Sequence, residues 1–186
     1  MGLFSKKPNI ESMIKDKDIE GLILALEHKN HNVRKSAVNG LGKLGDSKAI
    51  DPLIKVLNKE ENKYVIQQVG YALELIGDPK AVEGLILALD HKNGTVRFYA
   101  GQCLGHLGDS KAVEPLINAL SDKDLGVRSG AVTALRNIKD PRAIKPLQQI
   151  LDEEIEDSLK FSIRESLAYI EGKPFYITFS NKNPDS

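Results

Sequence analysis

One cysteine, Cys103, is all the chain carries in 186 residues. That excludes an intramolecular disulfide framework and any zinc or iron–sulfur site built from several thiolates. Tryptophan is absent, and the aromatics amount to five tyrosines and five phenylalanines. Net charge is missing too: 26 Lys and Arg balance 26 Asp and Glu, so no overall field draws the protein to nucleic acid or an anionic membrane. No stretch approaches the ~18 consecutive apolar residues of a membrane span, and the first residues lack the apolar run of a signal peptide. The start is Met-Gly, but Lys6 stands where a myristoylation signal needs Ser or Thr. A soluble protein of the reducing cytoplasm is the expectation.

What the chain has in excess is repetition. EGLILALEHKN at Glu20 to Asn30 returns as EGLILALDHKN at Glu83 to Asn93, and 25 of the 38 positions from Glu20 to Leu57 are identical at this offset of 63. A shorter period lies inside it. LGD or IGD ends at Asp46, Asp78 and Asp109, and IKD, ending at Asp140, is a weaker fourth copy; the steps are 32, 31 and 31 residues. Periods of this size mark stacked supersecondary units.

Each unit reads as two helices. Asp46, Asp78, Asp109 and Asp140 are placed as N-caps of the first, with Pro79 and Pro141 following where proline is best tolerated. The stripe Ala49, Ile50, Leu53, Ile54, Leu57 supplies its buried face. The second helix opens at Asn30, Asn62, Asn93 or Asp124, three residues before a valine, and closes at Gly45, Gly77 or Gly108, which suit a left-handed C′ position. Lys139 replaces that glycine in the fourth unit, which is expected to end less cleanly. Gly21, Pro52, Gly84, Pro115 and Pro146 share one position of the first helix, where a bend is expected. The alternation points to duplication of a pair of units.

The pattern GD-x-K-A-[IV]-x-P-L-I…V-R-x-x-A…A-L-G-x-[IL]-G-D resembles the HEAT-repeat superfamily, in the subtype named for phycobilisome lyases. The resemblance covers about 16–170 and implies an all-α, right-handed α-α superhelix of about five two-helix units at 16–45, 46–77, 78–108, 109–139 and 140–170. One helical hairpin cannot bury its own apolar stripe, so such units stack, each mainly on its neighbours. Residues 1–15 are expected to hold a short capping helix on Ile10, Met13 and Ile14. Residues 171–186 contain the β-prone PFYITF, expected to cover the last unit or else to bind a partner, and a tail SNKNPDS expected to be disordered.

Candidate chemistry is sparse. Arg34, Arg97 and Arg128 follow the valine of the second helix, with Ile66 in the second unit; the resemblance implies that they pair with acidic or carbonyl groups of a neighbouring unit as a structural ladder. His28 and His31 lie in a short turn, and His28 and His91 are repeat equivalents about 20 Å apart if packed helices are ~10 Å apart, too far to share an ion. The HEAT-like deoxyhypusine hydroxylases build a di-iron site from His-Glu dipeptides, whereas the four histidines here precede Lys29, Asn32, Lys92 and Leu107. Cys103 replaces Gly40, Ala72 and Ala134 at a small-residue position and is expected to be buried. Gly45, Gly77 and Gly108 end helices instead of beginning them, and no Gly-rich phosphate loop is seen. No metal, cofactor or catalytic residue is expected.

The aromatics break the repeat. Tyr71 stands where other units have Asn39, Gln102 and Thr133, and Phe98 where they have Lys35, Gln67 and Ser129. Both are expected to face solvent, and the resemblance places the second helices on the concave face. Tyr71, Phe98 and Tyr99, with Gln102 and His106, are therefore the candidate partner-binding residues; packing of the rings on one another without a partner is the alternative. The expected function is a non-catalytic module binding a partner protein. The alternative that the resemblance implies is an accessory or lyase-like subunit acting on a bilin or other tetrapyrrole protein. Nucleic-acid binding needs a basic groove, against which the neutral charge and the polar amides argue. The sequence leaves oligomeric state open.

Overall fold

The computed structural model describes residues 8–153 and 156–174. Among them the chain is helical throughout, with no strand, and runs as a stack of helical hairpins: α1 (Ile10–Lys15), α2 (Ile19–Ala25), α3 (His31–Leu44), α4 (Ile50–Lys59), α5 (Lys63–Ile76), α6 (Val82–Ala88), α7 (Gly94–Leu107), α8 (Val113–Ala119), α9 (Leu125–Ile138), α10 (Ile144–Glu153) and α11 (Asp157–Ile170). The helices α2, α4, α6, α8 and α10 are the first of each pair. PFYITF and SNKNPDS fall almost wholly outside the described residues.

The caps act locally. The carboxylates of Asp46, Asp78, Asp109 and Asp140 each accept from the amide two residues on, at 2.8–2.9 Å. What they cap, however, is a three-residue 3-10 turn, and the α-helix starts only after it. The junction between the two falls at Ala49–Ile50, Ala81–Val82, Ala112–Val113 and Ala143–Ile144, whether proline or glycine follows. Pro52 and Pro115 lie in the first α-turn, where the missing N–H has no intrahelical partner to lose. Glycine at this position has another reason, since a Cβ on Gly84 would stand 2.9 Å from Ile54 of the preceding unit.

The second helices all close alike. Gly45, Gly77 and Gly108 have φ of 67°, 63° and 69°, and each donates its amide to the carbonyl four residues back. Lys139 was expected to spoil this ending. Instead it adopts φ 60° and makes the same bond to Leu135 at 3.1 Å, its ammonium 4.5 Å from the centre of the Tyr169 ring. The strain of a left-handed lysine is thus opposed by a cation–π contact with the next unit.

One continuous core runs the length of the stack, built from the leucines and valines of the repeat pattern, such as Leu22, Leu53, Leu85, Leu116 and Leu147. Successive second helices pack directly on one another, while most consecutive first helices make hardly any contact. Closer packing along one layer curves a stack of repeats toward that layer. The concave face therefore belongs to α3, α5, α7, α9 and α11. Ile10, Met13 and Ile14 of α1 cover the open side of the first unit.

Arginines staple the units along the turns. Arg34 donates from Nε and Nη2 to both carboxylate oxygens of Glu60, at 2.7 and 2.8 Å, and from Nη1 to the carbonyls of His28 and Lys29. Arg97 repeats this on Asp122, at 2.6 and 2.8 Å, with the carbonyls of His91 and Lys92. Arg128 donates to the Asp122 carbonyl at 3.0 Å. The Arg97 guanidinium holds the Asp122 carboxyl below its ordinary range. Burial alone would raise Glu60, but Arg34 and the amides of Asn62 and Glu61 bring it below its ordinary value as well.

Where Ile66 interrupts the row, histidine completes the joint. His91 Nδ1 accepts from the Asn93 amide at 3.1 Å, which leaves Nε2–H to donate to the Asn58 carbonyl of the preceding unit at 3.0 Å. Arginine in one unit thus goes with an acid in the next, and isoleucine with a histidine.

Candidate functional site

The second helices present different surfaces to the concave side. On α5, Tyr64, Tyr71 and Leu75 recur at seven- and four-residue spacing, so they share one helix face, and all three are exposed, Leu75 to 64%. The equivalent residues of α9, Gly126, Thr133 and Asn137, are small or polar. Leu75 and Tyr64 are not among the residues expected to bind a partner. Both extend the patch along α5.

Tyr71, Phe98 and Tyr99 do come together. The Tyr71 and Tyr99 rings meet edge to face with centroids 6.2 Å apart, and Phe98 meets Tyr99 in the same way at 5.1 Å. Gln67 donates to the Tyr71 hydroxyl at 3.2 Å. Only Tyr71 of the three stands exposed. Phe98 and Tyr99 are half-buried, which corrects the expectation that Phe98 faces solvent freely. The cause is a pair of glycines: Tyr99 lies over Gly70 of α5 and Phe98 over Gly130 of α9, so close that a Cβ on either glycine would come within 3.0 or 3.3 Å of the ring. The α7 aromatics therefore bridge three consecutive units.

Gln102 and His106 border the cluster. His106 is exposed, and its Nδ1 lies 3.1 Å from both the Gln102 carbonyl and Glu74 Oε1, so this nitrogen carries the proton. Beneath it, the Cys103 thiol is fully buried and donates to the Gly70 carbonyl at 3.3 Å. Burial pushes Glu74 up, against the pull of His106, and pushes the Cys103 thiol well above the range in which a thiolate forms. This is no environment for a nucleophile. Among the described residues no group of histidine, cysteine and carboxylates is arranged to hold a metal ion. No helix there is long and apolar enough to cross a membrane.

The chain matches the family model of HEAT repeats over residues 19–87 and again over 82–168. It belongs to the HEAT-repeat family. No curated protein matches it significantly in sequence. Among solved structures, the complex of CpcE and CpcF of phycocyanin lyase from Nostoc sp. PCC7120 is similar, with 24% identity and a TM-score of 0.68 over 84% of this chain and 66% of that one. A designed armadillo repeat protein in complex with the peptide (KR)4 is 19% identical, with a TM-score of 0.61 over 89% and 87% of the two chains. Human deoxyhypusine hydroxylase gives 20% and 0.57 over 88% and 77%. At these identities the likeness is one of fold, and HEAT repeats carry unrelated functions on it.

Proposed function

We propose that this HEAT-repeat protein is a non-catalytic interaction module whose concave face binds a partner protein. One observation carries the reading: Tyr64, Tyr71 and Leu75 are exposed at positions that other units fill with small, polar or charged residues. Repeat periodicity cannot explain large apolar groups that break the period, and the core does not need them. Clustered exposed aromatics on a rigid scaffold suit an interface, because little side-chain entropy is lost when they are covered. Phe98 and Tyr99 support the patch from beneath, while Gln102 and His106 offer polar contacts at its rim.

The test is co-purification from cell extract by the tagged wild type and by a Tyr64→Ser, Tyr71→Ser, Leu75→Ser variant whose helical circular dichroism is unchanged. These positions are exposed, so the variant keeps its core. Loss of a partner with the variant supports the reading; identical partners for both contradict it.

A second reading, a lyase-like accessory subunit acting on a bilin protein, draws on the similarity to the CpcE and CpcF complex. It expects a shifted bilin absorption band on mixing. An unchanged spectrum counts against it.

A further inference from the structure

The concave face is not electrically neutral once its own ion pairs are set aside. Two of its carboxylates, Glu74 and Glu165, are each engaged within the molecule, by His106 at 3.1 Å and by Arg136 at 3.0 Å, and a third, Asp157, stands exposed at the start of α11. The half-buried Glu74 is further held toward its protonated form. Neither Glu74 nor Glu165 offers a free negative charge to a ligand.

Cations lie one helix from the apolar row on the α3 side, whereas on the other side the nearest at equivalent positions, Lys160 and Arg164 of α11, lie beyond the α9 row. Lys35 and Lys43 on α3 are exposed, and no ion pair engages either among the described residues. Glu11 of α1 is the one carboxylate lining the hollow beside Lys43, and it forms no ion pair with that lysine. Lys63, at the start of α5, stands 5.2 Å from the centre of the Tyr64 ring. Across the patch, the α9 row of Gly126, Ser129, Thr133 and Asn137 carries no charge at all.

Lys35 is the repeat equivalent of Gln67, and Lys43 of Leu75, so the basic row and the apolar row are separated by one helix-to-helix step of about 10 Å. An extended chain crossing the helices covers that distance in about three residues.

From this juxtaposition we infer that the concave face takes a linear segment with an apolar or aromatic anchor and a carboxylate about three residues from it, the anchor on Tyr71 and Leu75 and the acid over Lys35 and Lys43. The inference rests on the interaction-module reading and names the chemistry of its partner. A basic flank in the same place would face Lys35 and Lys43, with Glu11 of α1 the one carboxylate lining the adjoining hollow. Nucleic acid fits less well, since the row of lysines ends at an apolar surface and does not continue along a phosphate path.

The experiment is selection of random twelve-residue peptides displayed on phage against the full chain, followed by fluorescence anisotropy of labelled winners. Expected winners carry Asp or Glu near Leu, Phe, Tyr or Trp, bind more weakly as salt is raised, and lose about three- to tenfold in affinity to a Lys35→Glu, Lys43→Glu variant. They should fail on Tyr71→Ser, Leu75→Ser. Winners that need Tyr71 and Leu75 but are neutral or basic overturn the inference and leave the concave-face reading standing. Winners indifferent to Tyr71 and Leu75 overturn both. Oligo-aspartate binding as tightly as the anchored peptides, or no enrichment at all, also overturns the inference, because it requires an anchor within a linear segment.

Discussion

Gly105 of α7 lies against Ala134 of α9 so closely that a Cβ on the glycine would stand 2.6 Å from the Ala134 Cα. Gly42 and Ala72 make the same contact between α3 and α5, at 2.9 Å. At the alternate joints Glu74 and Arg136 occupy the glycine's position, and the helices are held by side chains instead of touching backbones. The stack is thus built from close pairs of units joined by looser, polar seams. Duplication of a pair preserves that rhythm.

This relationship separates two glycines four residues apart. Gly105→Ala is expected to destabilise by about 1–3 kcal/mol, because the backbone of Ala134 cannot yield as a flexible side chain would. Gly101→Ala meets only Leu116 and Leu89 at 3.7 Å, ordinary contact, and is expected to stabilise by about 0.5–1 kcal/mol through helix propensity. Thermal melts of the two variants should shift in opposite directions.

The left-handed helix ends give a second pair. Gly77→Val or Gly108→Val should cost about 1–2 kcal/mol, while Lys139→Gly should gain up to about 1 kcal/mol by removing a strained lysine, less whatever its contact with Tyr169 contributes. Chemical denaturation resolves differences of this size.

These stability predictions show what the residues disclosed in advance. Helix pairs, caps and core leucines were legible because one pattern is read four or five times, and Asp46 and its equivalents, like Gly45 and its equivalents, act on amides a few residues away. The close pairing of Gly42 with Ala72 was not, since the distance between helices depends on both. Nor was the work of His91, whose two nitrogens serve amide and carbonyl groups 35 residues apart in sequence, Asn93 and Asn58. Leu75 was legible by the comparison that exposed Tyr71, since its repeat equivalents are Lys43, His106 and Asn137, but a comparison confined to aromatic residues passes over it.

Arg97 and Asp122 make stability depend on acid. The Asp122 carboxyl is lowered in the folded chain, so the stability it contributes is present above its unfolded value near 3.8 and is lost as pH falls through the lower folded value. Arg97→Met leaves a largely covered carboxylate without its partner and should cost about 1–3 kcal/mol at pH 7, between exposed and fully buried pairs. The deficit relative to wild type should shrink as pH is lowered through that range. A deficit unchanged down to pH 2 would show that the pair is electrostatically silent.

Glu74 should behave with the opposite sign. Its carboxyl is raised by burial, so the folded chain takes up a proton and stability declines as pH rises from 4.5 through the higher folded value. Glu74→Gln should therefore melt at or above the wild-type temperature at pH 7 and show a shallower loss between acid and neutral pH. A variant that melts lower at neutral pH would mean that the ion pair with His106 outweighs the burial of the carboxylate.

The central claim is that the inner face of the curve, and not the outer, meets a partner. The most direct measurement places the photo-cross-linking residue benzoylphenylalanine at Tyr71, and in a separate variant at Leu87, an exposed leucine of the outer helix α6. Irradiation in cell extract is expected to give a discrete higher-mass adduct from position 71 and none from position 87. An adduct from position 87 alone, or from neither, would contradict the account.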